Sequence, residues 1–164
     1  MFYIYISFNS HLAGEATVNL YYTIMSFYGW YLWTRKDRNQ QPVVQVTFSN
    51  AMMWRNQVLF FLFIYAVMWI ALSVLKHYFL AGAIPWADAF ASASAFTGMW
   101  LMTRKKVESW YWWIATNIAS IPLYFVKGLV VTSIYYLVLL VFAFWGLAAW
   151  RKTARLHRSP ISPV

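Results

Sequence analysis

Five long apolar runs constrain this chain more than any other feature of its sequence. They cover about residues 16–34, 58–75, 85–103, 109–126 and 129–150. A helix needs roughly 17 to 25 apolar residues to cross a bilayer, and each run meets or approaches that length. The runs lack the alternating segments of roughly ten residues that build a membrane barrel. The sequence therefore predicts an all-α, polytopic membrane helix bundle with about five transmembrane helices.

The composition argues against a soluble protein and against an enzyme. Hydrophobic residues make up 62% of the chain and charged residues 10%, whereas about a quarter of the residues in soluble domains are charged. The chain has no cysteine, and its three histidines and four acidic residues are scattered. No spacing among them resembles a metal site, a carboxylate pair or a catalytic triad. We predict that the protein is not an enzyme and uses neither a metal nor a cofactor.

The positions of Lys and Arg predict the orientation of the chain in the membrane. Basic residues in short loops stay on the cytoplasmic side, and here they cluster after the first, third and fifth runs, leaving only Lys76 and Lys127 on the opposite side. The C-terminus is therefore predicted to be cytoplasmic. The net charge of +9 is spread over loop ends rather than gathered on one surface, so it does not indicate nucleic-acid binding.

The first and fifth runs contain the same pattern, which predicts an internal repeat. The pattern is Phe, an aromatic residue, Gly, three residues, Trp and then a basic residue, and it aligns Phe27, Gly29 and Trp33 with Phe144, Gly146 and Trp150. Both copies end on the cytoplasmic side, as in transporters whose parallel halves enclose a site near the bilayer midplane. Spans three to five would then form one unit, and the first span would close an equivalent unit whose earlier helices lie upstream of Met1. The expected design is three helices, a linker helix and three helices.

This interpretation divides the chain into five segments. Residues 1–36 end the first unit as an apolar stub and one span, residues 37–57 form a cytoplasmic loop, and residues 58–80 form the linker helix. Residues 85–150 form the second unit, in which Asp88 is expected to cap the third span, and residues 151–164 form a basic cytoplasmic tail.

Two helix faces combine aromatic rings with polar groups in the middle of apolar runs. At 100° per residue each set lies on one stripe: Trp110, Trp113, Asn117 and Tyr124 on the fourth run, and Asn19, Tyr22, Ser26, Trp30 and Trp33 on the first. An aromatic belt at the headgroups is the alternative explanation, but it fails for Asn19, Tyr22, Asn117 and Tyr124, which lie one to three turns inside. The stripes should face protein or a water-filled cavity. Tyr136 of the fifth run completes the candidate site.

The chemistry of these side chains predicts the class of ligand. Indole and phenol faces attract a flat cation or an aromatic ring at about 0.5 to 2 kcal/mol per contact, while amides and phenols hydrogen-bond to hydroxyl groups. The runs contain no buried acid to neutralise a strong charge and no buried base to hold a phosphate. A small polar aromatic molecule or delocalised cation that carries hydroxyls, such as a nucleoside or a vitamin, fits this lining.

Two stretches resemble the PnuC family of nicotinamide riboside transporters, which are related to the SWEET architecture. They are YGWYLW at 28–33, followed by TRK, and MTRKKVESWYWWIATNIASIPLYFVKG at 102–128. The resemblance implies a three-plus-one-plus-three helix arrangement and facilitated diffusion of nicotinamide riboside across the bacterial inner membrane. It also implies a homotrimer.

The family site carries over to Trp110, Trp113, Asn117 and Trp30, and this chain has Asn19 where relatives have Gln and Ser26 where Asn can stand. Transport of another vitamin, either thiamine or riboflavin, remains an alternative. A second alternative is that the protein is a non-transporting membrane scaffold or a fragment.

Overall fold

A computed structural model describes residues 13–37, 40, 42–78 and 84–156. It contains helices α1 (Ala13–Thr34), α2 (Ala51–Tyr78), α3 (Pro85–Thr103), α4 (Ser109–Val126) and α5 (Val130–Leu156). In these ranges, β-type pairing is limited to two isolated bridges. The predicted all-α bundle is confirmed.

The outer surface of the bundle is apolar. Of the described helices, α2 (over Ala51–Val74) and α5 are long and apolar enough to cross a membrane by length and composition. Helices α1, α3 and α4 have 22, 19 and 18 residues, which is also spanning length, but their Trp, Tyr, Ser and Thr residues lower their hydropathy. Large side chains such as Phe63 and Ile70 are about two-thirds exposed, at 66% and 64%. So large an apolar surface is stable in lipid rather than in water.

Two helices are longer than the sequence indicated. Helix α2 begins at Ala51, inside the predicted cytoplasmic loop, because Asn50 caps it: the N–H of Met53 donates to Asn50 Oδ1 at 2.8 Å and the N–H of Trp54 to Asn50 O at 2.9 Å. Helix α5 continues through Arg155 to Leu156, where a basic residue in the last turn interacts favourably with the helix dipole.

The predicted N-terminal stub and the last residues of the tail lie outside the described residues, and the division into two units stays a prediction.

Helix α3 forms the centre of the bundle. It packs against α1, α2 and α4, while α5 packs against α4. Its buried face is built mainly from small residues: Ala89, Ala91, Ala93, Ser94, Ala95, Thr97 and Gly98. Small side chains let helix backbones approach closely in lipid. Among the described helices, the backbone of α1 comes close to α3 alone.

The loop before α2 is attached to the turn between α3 and α4. Thr47 pairs with Lys106 in a parallel bridge, and the N–H of Val107 donates to Thr47 O at 3.1 Å. The ammonium of Lys106 also donates to Thr47 Oγ1 at 2.7 Å. These contacts hold the start of α2 beside the start of α4, at the end of the bundle that carries most of the basic residues.

Asp88 joins two elements at the opposite end of the bundle. Its Oδ2 accepts a hydrogen bond of 2.8 Å from the N–H of Ile84, directly before α3. Its Oδ1 forms a salt bridge of 2.5 Å with Lys127, in the turn between α4 and α5. Asp88 therefore caps α3, as the sequence indicated, and also ties α3 to the α4–α5 turn.

Candidate functional site

Four aromatic rings from three helices form two contacting pairs, and we call Tyr22, Trp113, Tyr124 and Tyr136 the aromatic cluster. The Tyr22 and Trp113 ring centroids are 6.0 Å apart, and the Tyr124 and Tyr136 rings stack at 5.2 Å. Because α1 comes close to α3 but not to α4 or α5 along its backbone, large side chains bridge the space between them. The structure thus pairs Tyr22 with Trp113 and Tyr124 with Tyr136, and all four are predicted site residues.

The indole of Trp113 is placed by a glycine on α3. A Cβ atom at Gly98 would lie 3.3 Å from Trp113 Cε2, so the absence of a side chain lets the ring lie flat against α3. In the part of the chain that the structure describes, the buried Nε1 of Trp113 has no hydrogen-bond acceptor. A buried donor without a partner is costly, and within the described ranges Trp110 Nε1 is buried without a partner as well.

Two amides lie close to the cluster in sequence and on the same helix faces. Asn117 is only 3% exposed and follows Trp113 by about one helical turn. Asn19 is half-buried and precedes Tyr22 by about one turn. The site therefore offers hydrogen-bonding amides within a mostly aromatic lining.

Trp110 has packing partners other than the aromatic cluster. Its ring lies directly against Gly146 and meets Trp150 edge to face, with centroids 5.5 Å apart. It also packs on a small core formed by Val107, Leu147 and Ala154. These contacts give Trp110 a role in joining α4 to α5 near the end that carries the basic loops.

Ser26 and Trp30 are not brought into the cluster. Both are exposed, and 68% of Trp30 is accessible. The reason is the rotation of α1: Gly29 is buried against Thr103 of α3, and the next residue points about 100° away from that contact. The assignment of Ser26 and Trp30 to the site stays a prediction.

Two further residues near the site, Tyr21 and Lys127, were not among the predicted site residues. The hydroxyl of Tyr21 donates to Phe96 O at 3.0 Å, and its ring lies 4.2 Å from the Phe96 ring, which fixes α1 on α3. Lys127 lies 5.7 Å from the Tyr124 ring centroid, so a cation borders the cluster. Tyr21 and Phe96 are 75 residues apart in sequence, so local patterns carry no signal for their contact, whereas Lys127 follows Tyr124 by one helical turn. The described residues contain no group of side chains that could hold a metal ion.

Aromatic and amide side chains between the helices of a membrane bundle are typical of transporters for small organic solutes. Residues 1–152 match the family described as nicotinamide mononucleotide transporters, and the chain belongs to this family. The family match confirms the prediction of a membrane transporter rather than an enzyme.

Curated relatives with known roles are transporters of vitamins. The riboflavin/roseoflavin transporter RibM of Streptomyces davaonensis is 27% identical over 94% of this chain and 72% of its own length. The nicotinamide riboside transporter PnuC of Escherichia coli is 26% identical over 92% of this chain and 71% of its own length. The crystal structure of a vitamin B3 transporter, PnuC, superimposes with a TM-score of 0.68 at 23% identity. It covers 94% of this chain, and the chain covers 68% of it, so the predicted fold is confirmed.

Proposed function

We propose that the protein carries nicotinamide riboside across the bacterial inner membrane by facilitated diffusion. The observation that supports this most directly is the contact between Trp113 and Tyr22, in which the buried indole N–H of Trp113 has no acceptor among the described residues. The pyridinium ring of nicotinamide riboside is a flat, delocalised cation, which is what an indole face attracts. Its carboxamide and ribose need hydrogen bonds of the kind that the amides and phenols supply.

Each part of the site then has a task. The indole of Trp113 stacks on the pyridinium, and its N–H donates to an oxygen of the solute. Asn117 pairs with the carboxamide, and the phenols of Tyr22 and Tyr136 bind ribose hydroxyls. Because such contacts are individually weak, the solute is held loosely enough to leave on either side.

The charge distribution agrees with transport that is not coupled to an ion. Two acidic side chains at helix starts, Asp88 and Glu108, are engaged in hydrogen bonds. Proton-coupled and sodium-coupled transporters usually place ionisable groups within their spans. The solute would therefore follow its own gradient.

We also propose that the C-terminus of the carrier lies in the cytoplasm. A homo-oligomeric state, which the family resemblance implies, stays a prediction for this chain.

Riboflavin is the second candidate, because RibM is 27% identical to this chain. Its tricyclic ring would also stack on an indole, but it carries no positive charge. The two candidates therefore differ in whether the cation contributes to binding.

Binding to the purified protein in lipid nanodiscs tests the proposal. Isothermal titration should show saturable binding of nicotinamide riboside, and weaker binding of its 1,4-dihydro form, which has the same groups but no positive charge. Riboflavin and thiamine serve as competitors. Tighter binding of riboflavin would assign the second candidate, and no saturable binding of any of the four compounds would favour a scaffold.

A further inference from the structure

We propose that Gln57 and Glu108 are positioning residues for the site. Acting through Ser49 and Trp112, they fix the rotation of α4 about its axis and thereby the direction in which Trp113 faces the aromatic cluster. The effect on solute binding rests on the proposed function, whereas the effect on Trp113 itself does not.

A continuous chain of hydrogen bonds joins these residues. Glu108 is 3% exposed, and its two carboxylate oxygens accept from the N–H of Ser49 at 2.9 Å and from Ser49 Oγ at 2.8 Å. Gln57 is fully buried. Its Nε2 donates to Ser49 Oγ at 2.8 Å, and its Oε1 accepts from Trp112 Nε1 at 3.3 Å. The chain starts at the residue before α4, passes through the loop and α2, and returns to α4.

The two attachment points are Glu108, directly before α4, and Trp112, within it, and they lie on one side of the helix. Glu108 and Trp112 are four residues apart, which is about one helical turn. Both are tied to groups outside the helix, so a rotation of α4 would break hydrogen bonds at each point. Trp113 follows Trp112 at 100° around the same helix, and an N–H held at Trp112 therefore sets the direction of the Trp113 indole.

Packing around Trp112 alone does not explain a buried amide. The Trp112 ring already stacks on Phe61 of α2, with centroids 4.9 Å apart, and its Cβ would contact a Cβ atom at Gly98 at 3.4 Å. Gln57 is fully buried and directly precedes the long uncharged segment of α2. Burying an amide and a carboxylate is costly unless both are hydrogen-bonded, and a hydrogen bond adds a direction that apolar contact lacks. Positioning Trp112 is the task that this geometry fits.

Fluorine NMR of protein labelled with 5-fluorotryptophan tests the structural part without a ligand. Trp112→Phe and Trp113→Phe variants assign the two resonances. Gln57→Met removes both hydrogen bonds of the amide at similar volume, and we expect it to shift the Trp113 resonance. Trp145, which is 67% exposed, should not shift, and neither should Trp113 in the matched control Leu59→Met.

A second variant covers the case in which Gln57→Met does not fold. Ser49→Ala removes the hydroxyl that links Glu108 to Gln57, and it should shift the Trp113 resonance in the same direction. An unchanged Trp113 resonance in a folded Gln57→Met or Ser49→Ala protein would overturn the proposal, because the network would then support the fold without orienting the site.

Binding of nicotinamide riboside tests the functional part. Gln57→Met should raise the Kd roughly tenfold in the parent, but hardly at all in a Trp113→Leu background, because the two changes act on the same contact. If Gln57→Met raised the Kd by the same factor in the parent and in the Trp113→Leu background, an effect through Trp113 would be contradicted. If the parent protein binds no nicotinamide riboside, the proposed function fails, and the fluorine spectra still decide whether the network positions Trp113.

Discussion

The indoles of Trp33 and Trp150 are in contact, with ring centroids 6.5 Å apart. These are the two tryptophans that the repeated pattern aligns, one at the end of α1 and the other near the end of α5. The glycine that precedes each of them is a site of close approach: Gly29 lies against Thr103 and Gly146 against Trp110. Trp33 Nε1 also donates to Thr103 O at 3.0 Å. The pattern therefore has a packing role, and it brings the ends of the two helices together.

Replacing Gly146 by Ala should destabilise the protein by about 1 to 3 kcal/mol, because a Cβ atom at this position would overlap the ring of Trp110. Thermal unfolding followed by tryptophan fluorescence measures the change. The double variant Gly146→Ala, Trp110→Leu should recover part of the loss relative to Gly146→Ala, because the smaller side chain leaves room for the methyl group. Gly146→Ala with parental stability would contradict the close contact.

Replacing Trp113 by Leu should weaken binding of nicotinamide riboside roughly 5-fold to 30-fold, because a cation–π contact of about 1 to 2 kcal/mol is lost. Isothermal titration of the variant in nanodiscs provides the measurement. Trp145→Leu is the matched control. Because Trp145 is exposed, this variant should bind nicotinamide riboside as tightly as the parent. Equal affinities of Trp113→Leu and the control would show that the cluster is packing only.

Variants of Asp88 and Lys127 should separate the two contacts of the Asp88 carboxylate. Lys127→Gln and Asp88→Asn each remove the salt bridge, whereas Asn can still accept from the N–H of Ile84. We expect each to cost about 1 kcal/mol, and Asp88→Ala to cost about 1 kcal/mol more because the helix cap is also lost. Melting temperatures should fall in that order, and an Asp88→Ala protein as stable as Asp88→Asn would show that the cap contributes nothing.

Cysteine labelling should establish the orientation, because the chain has no cysteine of its own. Val43 and Leu129 are both exposed and lie at opposite ends of the bundle, before α2 and before α5. We expect an impermeant maleimide added to intact cells to label Leu129→Cys, and to label Val43→Cys only after the membrane is opened. Labelling of both from outside would contradict the predicted topology.

That the five apolar runs form helices was determined by the sequence alone. In hydrocarbon, a backbone without water must satisfy its own hydrogen bonds, so long apolar runs become helices. The period of the helix then places Trp113 and Asn117 on one face of α4. Both inferences use residues that are close in sequence, and the structure agrees with both.

Which face of each helix points inward was decided by the tertiary structure. The same period that grouped Trp30 with Tyr22 is compatible with any rotation of α1, and the contacts of Gly29 and Tyr21 with α3 select one that leaves Trp30 exposed. The partners of Glu108 and Asp88 lie on other elements, so local patterns identify a cap but not the serine or lysine that completes the contact. The rotation of a helix and the pairing of its side chains depend on how whole helix surfaces fit together. The free energy of that fit depends on both partners, so the local sequence of one helix does not determine it.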